Sequence, residues 1–368
     1  MLKKVFNTSF LNAAASGISF ILNYFIVKWL GLSIFGEFAV YGAYVTLGTI
    51  IYSIIPTNFS IFRFQDDKEY KSILLTFYVL SSIVFILYLT ILKMTGLISI
   101  SLLVALIYSV PLGLQGYFDI KLQATNQLTK YFFLLFIISV FKTGFVFATH
   151  FFGYLTSFEQ LVLITAIPQA FIILFLLLKE DAKILKPKVL SAFISTYLKD
   201  FSPYYFNIIS KKLKESLTVL LFNPIITKEI IGIYALFIKL AQFIFGLSRN
   251  IEAFFMNRKN IEYYKDSFYT SYLKISFVLQ LVYLLVGLVY MKAMTGNFYI
   301  YLLIIQSFLV YPHVRFLFAR AELTAQYKNK ESNLSELVSI AVIFTIFILA
   351  MVFDYFTLNM IMATFILS

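Results

Sequence analysis

Twelve apolar runs follow one another along this 368-residue sequence, at roughly 5–28, 37–62, 72–92, 98–118, 130–150, 158–178, 201–222, 230–256, 271–291, 297–318, 334–353 and 357–368. Crossing about 30 Å of hydrocarbon takes about 20 mostly apolar residues in a helix. In lipid the backbone must satisfy its own N–H and C=O groups, and a helix does so within each run. Twelve spans use about 240 residues, leaving short loops and no sizeable soluble domain. Composition agrees. The chain is 61% hydrophobic and 13% charged, against about 25% charged in soluble domains. The expected fold is an all-α membrane protein of about 12 transmembrane helices. The last run has 12 residues and reads as a short or truncated span.

The 30 Lys and Arg residues orient these spans. With the N-terminus in the cytoplasm, 20 of them fall at or near cytoplasmic ends, beginning with Lys3 and Lys4. Four, Lys28, Lys93, Lys228 and Lys292, fall at outer ends. That asymmetry is the positive-inside pattern. The net charge of +12 therefore reads as topology on an anionic membrane face rather than as a nucleic-acid patch. Lys3 and Lys4 precede an apolar segment too long for a cleaved signal, so none is expected. With no cysteine, disulfides and thiolate metal sites are excluded. His150 and His313 lack ligand companions at metal-binding spacing. No phosphate-binding glycine loop occurs, so no nucleotide cofactor is expected.

The longest stretch between spans, 179–200, holds Lys179, Glu180, Asp181, Lys183, Lys186, Pro187 and Lys188. It reads as a cytoplasmic linker between an N-terminal six-helix lobe, 1–178, and a C-terminal six-helix lobe, 201–368. A short motif supports two related halves. Gly36-Glu37-Phe38-Ala39 opens the second span, and Gly232-Ile233-Tyr234-Ala235 opens the eighth. Glycine there permits a tight turn or close helix contact.

The run Lys28-Trp29-Leu30-Gly31-Leu32-Ser33-Ile34-Phe35-Gly36-Glu37-Phe38-Ala39, with its counterpart Lys228-Glu229-Ile230-Ile231-Gly232-Ile233-Tyr234-Ala235, resembles the first-turn pattern of the polysaccharide and O-antigen flippases. These belong to the MOP superfamily with the multidrug MATE transporters. The resemblance extends over the whole chain as a 6+6 parallel repeat with a cytoplasmic middle loop. It implies a bacterial cytoplasmic membrane protein without enzymatic activity. Its cargo would be undecaprenyl-diphosphate-linked oligosaccharide, carried to the outer leaflet by alternating access for O-antigen, capsule or exopolysaccharide synthesis. Other polysaccharide-assembly membrane proteins are its implied partners.

Ionisable residues inside spans are costly and usually face a wet interior. Lys142, Lys211, Lys214 and Lys239 lie well within their spans, and Arg249 nearer the cytoplasmic end of the eighth. Depth along the helices, about 1.5 Å per residue, puts Lys142, Lys211 and Lys239 near one level. Several cations at mid-membrane suit a pyrophosphate. Snorkelling to the interface is the competing reading, above all for Lys212 and Arg249. Glu215 shares a face with Lys211 and Lys214. It would pair with a lysine, or bind H+ or Na+ as a coupling ion. Asn12, Ser16, Ser19 and Asn23 form a polar stripe on the first span. It would either line a glycan passage or join helices by hydrogen bonds. Tyr41, Tyr44, Tyr204 and Tyr205 are candidate sugar-stacking rings.

Two other functions compete. A membrane polymerase or ligase acting on lipid-linked sugars would need a larger outer loop than any here. A MATE-type cation-coupled exporter would favour buried acids over buried lysines.

Overall fold

A computed structural model describes residues 2–55, 59–60, 63–64, 70–125, 127–246, 258–312, 329–353 and 357–367. Among these residues there is no strand, and the helices follow the apolar runs. They are α1 (Leu2–Gly48), α2 (Tyr70–Met94), α3 (Leu102–Ala124), α4 (Leu128–Phe151), α5 (Phe158–Leu178), α6 (Pro187–Phe222), α7 (Lys228–Gly246), α8 (Arg258–Thr295), α9 (Ile300–Phe308), α10 (Asn329–Val352) and α11 (Leu358–Leu367).

Among the described residues, six helical stretches are long and apolar enough to cross a membrane, at Phe10–Gly48, Tyr70–Met94, Leu102–Ala124, Thr129–Phe151, Phe158–Leu178 and Ser276–Thr295. The chain is a multi-pass membrane protein. α6 is absent from this group because Lys211, Lys212, Lys214 and Glu215 interrupt its apolar half.

Local chemistry sets the boundaries. α1 covers the first expected span and the first part of the second, ending at Gly48, and breaks at Gly31, whose φ of 86° and ψ of 166° leave the helical region. Only glycine visits that region without strain. Ser157 caps α5 by accepting from the Gln160 N–H while the Gln160 side chain reaches back, a reciprocal pair that satisfies two orphan donors. α6 starts at Pro187, so the linker expected over 179–200 is helical in its second half. Proline suits a first helical position, where its missing N–H costs nothing.

Contacts divide the chain into two compact units, Tyr41–Ser216, and Met1–Val40 with Leu217–Ser368. In Tyr41–Ser216 the core lies among α2, α3 and α5. Tyr70, Phe85 and Tyr117 are fully buried there. The Tyr52 ring lies against Gly113, where a Cβ would stand 2.1 Å from Cζ. Its hydroxyl donates to Ser82 Oγ at 3.0 Å.

In the other unit, Phe20 of α1 stacks on Phe243 of α7 and Tyr290 of α8, with centroids 5.0 and 4.1 Å apart. Tyr283 of α8 donates to Gln306 of α9. α1 and α7 also cross closely. A Cβ on Gly36 would lie 1.9 Å from the Lys228 carbonyl oxygen and 3.1 Å from the Gly232 nitrogen. The two glycines of the sequence motif therefore meet each other.

Candidate functional site

The best-formed polar feature inside the apolar helices belongs to the unit Tyr41–Ser216. Lys142 stands past the middle of α4, and its Nζ donates to Gln169 Oε1 at 2.5 Å. Gln169 Nε2 donates to Gln115 Oε1 at 2.7 Å. Gln169 and Gln115 are 3% and 9% exposed, so a part-buried ammonium rests on one buried amide that is itself bonded to a second. Each sits near the middle of its helix, α5 and α3. An ammonium can only donate, which turns the Gln169 oxygen toward Lys142 and its NH2 toward Gln115.

One turn beyond Gln115 on the same face of α3 is Asp119, whose carboxyl interacts with the Gln115 amide. Asp119 Oδ1 is shut off from solvent and has no hydrogen-bond partner among the described residues. Sequence reasoning missed Asp119 because the expected span ended at 118. The helix runs to Ala124, which moves Asp119 more than a turn inside. It also passed over Gln115 and Gln169, since neutral amides do not stand out from an apolar run as charges do.

The remaining expected site residues separate. Lys211 and Lys214 are half-buried on α6. The Glu215 side chain and all of Arg249 lie outside the described residues. Lys212, weighed as an interface lysine, donates from Nζ to Thr49 O at 2.9 Å and Oγ1 at 2.8 Å. It caps the C-terminal end of α1, where a cation complements exposed carbonyls. Lys239 lies in the other unit and donates to Gln242 Oε1 at 3.2 Å, one turn along α7. Lys142 and Lys211 thus belong to one unit and Lys239 to the other.

Asn12, Ser16 and Asn23 are half-buried on α1 and Ser19 is exposed. Gly17 and Phe20 are the positions beside the stripe that face α7. The polar stripe is offset from them by one residue, about 100° around the helix. It borders that seam rather than filling it. Tyr41 is a core residue whose hydroxyl pairs with Ser109 Oγ at 3.1 Å. The Tyr44 carbonyl accepts from Tyr88. Among the described residues no cluster of His, Asp and Glu could hold a metal ion.

At the end of α5 the chain is clasped to the ends of α2 and α3. Lys121 Nζ meets Glu180 Oε2 at 2.6 Å, with the Glu180 side chain 2% exposed. Lys71 Nζ meets Asp181 Oδ1 at 2.7 Å. The Lys183 N–H donates to Ser72 Oγ and the Leu185 N–H to Thr76 Oγ1. The hydrogen bond from Lys71 holds the Asp181 carboxyl below the usual carboxylate range.

No protein-family profile matches the sequence, and no curated protein matches it in sequence. Solved structures do match. An outward-facing multidrug resistance MATE transporter of the MOP superfamily is 13% identical, with a TM-score of 0.61 over 98% of this chain and 91% of that one. An inward-facing one is 12% identical, with a TM-score of 0.55 over 98% and 90%. A MOP superfamily transporter from Pyrococcus furiosus Vc1, described by the reverse polarity of its binding pocket, is 13% identical, with a TM-score of 0.55 over 98% and 90%. Across nearly the whole chain, this all-helical protein thus has the fold of the MATE transporters of the MOP superfamily.

Proposed function

We propose that this chain flips undecaprenyl-diphosphate-linked oligosaccharide across the bacterial cytoplasmic membrane by alternating access, with its N-terminus in the cytoplasm. The observation that carries the reading is Lys142. Its ammonium stands inside the membrane span, held ready by Gln169 at 2.5 Å. A half-buried cation on a neutral amide suits an anionic headgroup. The amide orients the ammonium without cancelling its charge, as a carboxylate would. Lys211, Lys214, Lys239 and Arg249 would supply further positive charge along the route. A transporter of this fold with a binding pocket of reverse polarity is known, so the fold accommodates cargo other than that of the multidrug exporters. An anion leaving a negative-inside cell gains about 2.3 kcal/mol per charge per 100 mV. No nucleotide is needed.

Lys142→Ala, Lys211→Ala and Lys239→Ala should each block export of surface polysaccharide at normal protein level. Lipid-linked repeat units should then accumulate on the inner leaflet. Normal export in all three variants would sink the reading. The fold accommodates a cation-coupled MATE-type exporter equally well, and the buried acid Asp119 favours that second reading. Efflux of a cationic dye from cells, lost in Asp119→Asn and kept in Lys142→Ala, would select it.

A further inference from the structure

We propose that the seam between α1 and α8 binds one anionic phospholipid of the bilayer, with an acyl chain in an apolar groove and the headgroup at Lys28 and Lys292. The site is separate from Lys142 and does not depend on what the cargo is. It belongs to the unit of Met1–Val40 with Leu217–Ser368. Phe20 and Tyr24 of α1 line one side of the groove, and Leu285, Val289, Tyr290 and Ala293 of α8 line the other. Spacings of four residues put each set on one face of its helix. The two sides join where Phe20 stacks on Tyr290. The volume of about 440 Å³ falls in the range of ligand pockets, about 300–1,000 Å³.

The lining selects a hydrocarbon. The Tyr290 hydroxyl is shut off from solvent, so an occupant meets the ring and not the O–H. A polar group pushed between such walls would lose its hydrogen bonds. The length fits one leaflet. The apolar span of α8 ends at Thr295. Leu285 lies ten residues before that end, about 15 Å down, which is half of the roughly 30 Å hydrocarbon core. Leu285 and Val289 are 67% and 73% exposed. The groove therefore opens sideways to the bilayer, and a lipid enters it without crossing water.

The mouth of the groove is cationic. Lys28 stands one turn beyond Tyr24, with its Nζ 5.8 Å from the centroid of that ring. Lys292 adjoins Ala293 and donates from Nζ to the Gly296 carbonyl at 2.7 Å. An ammonium has three donors, so this bond leaves others for a ligand. Both lysines are exposed, and among the described residues neither meets a carboxylate. They are two of the four cations, with Lys93 and Lys228, on the side of the membrane that the charge pattern leaves poor in Lys and Arg. Tyrosine and lysine at a span end mark the level of the lipid headgroups. Hydrocarbon walls below and two cations above match the two ends of an anionic phospholipid. A zwitterionic lipid brings no net charge to answer the lysines.

The test titrates phosphatidylglycerol and phosphatidylcholine with identical acyl chains, in separate runs, into the full chain in neutral detergent. Native mass spectrometry counts the lipid retained. One phosphatidylglycerol should bind, more tightly than phosphatidylcholine. Lys28→Gln and Lys292→Gln should each weaken it about fivefold, the scale of one lysine at an anionic headgroup, and leave phosphatidylcholine unchanged. Val289→Trp fills the groove from an exposed position and should abolish retention of phosphatidylglycerol. Equal retention of the two lipids, or unchanged phosphatidylglycerol affinity in both lysine variants, overturns the proposal. The lysines are exposed, so their variants decide the matter even where Val289→Trp does not fold. Undiminished retention by folded Val289→Trp overturns the groove as the seat of the chain. A polyprenyl phosphate retained where phosphatidylglycerol is not would assign the groove to the tail of a lipid-linked cargo, and would overturn the proposal as well.

Discussion

Gly36 and Gly232 touch backbone to backbone. A Cβ on Gly232 would stand 2.3 Å from the Leu32 carbonyl oxygen, and one on Gly36 would stand 1.9 Å from that of Lys228. Neither obstacle is the movable end of a side chain. Gly36→Ala and Gly232→Ala should therefore each force α1 and α7 apart and destabilise the protein by about 1–3 kcal/mol, the usual range for overpacking. Gly42→Ala is the control. It lies on the same helix with open space around it, and alanine should be neutral or stabilising by about 0.5–1 kcal/mol. Thermal unfolding in detergent measures all three. Equal melting temperatures for Gly36→Ala and Gly42→Ala would contradict the close crossing.

The amides beneath Lys142 should show the asymmetry of buried hydrogen bonds. Gln169→Leu takes an acceptor from the Lys142 ammonium and the donor from the Gln115 oxygen together. It should cost about 1–3 kcal/mol or more. In the Gln115→Leu, Gln169→Leu double variant the amides are lost as a pair, and the second substitution should add less than it costs alone. A double-mutant cycle from thermal unfolding reads the coupling, and strict additivity would refute the chain.

Lys212 and Lys211 are neighbours in sequence with different expected roles. Lys212→Met removes the cap on Thr49 and should lower stability by about 1–2 kcal/mol, the scale of a cation at a helix C-terminus. Polysaccharide export should persist at permissive temperature. Lys211→Met should reverse the pattern, with export lost and stability little changed. The same phenotype in both would mean that the lysines share one role.

The clasp after α5 has a pH dependence of defined sign. Lys71 holds the folded-state value of Asp181 below its ordinary one. A depressed carboxyl contributes stability above its unfolded value of about 3.9 and loses it as pH falls through the lower folded value. The pair is largely exposed, so its contribution is small. Proteolysis within 179–186 should be flat from neutral pH down to about 4 and rise only below that. Asp181→Asn should cut faster at neutral pH and lose the acid step. An acid step of equal size in the variant would assign it to another group.

The helices were legible because their cause is local. Each apolar run must satisfy its own backbone in lipid, so length and hydropathy mark it almost residue by residue, as at Phe158–Leu178. Gly36 and Gly232 were legible as a tight turn or a close helix contact, and the structure has the contact, with the break of α1 at Gly31 instead. The site was legible only in part. Lys142 announced itself as a charge in an apolar run, but its partners are neutral and come from helices 27 and 54 residues away along the contacts. A linear pattern carries no trace of such a chain. Asp119 was lost to a boundary placed at 118, six residues short of the helix end at Ala124, and the partner of Lys212 was out of reach of the sequence because Thr49 is 163 residues away.

The meeting of Gly36 with Gly232 bears on how freely α1 and α7 can slide past one another. The two glycines stand in the recurring Gly-x-aromatic-Ala motif, 196 residues apart, and each bars a side chain from the same point of contact. A crossing at backbone distance has no side chain that can swing aside, so it acts as a pivot with hard surfaces on both sides. Gly36→Ala and Gly232→Ala should therefore lower the melting temperature by similar amounts.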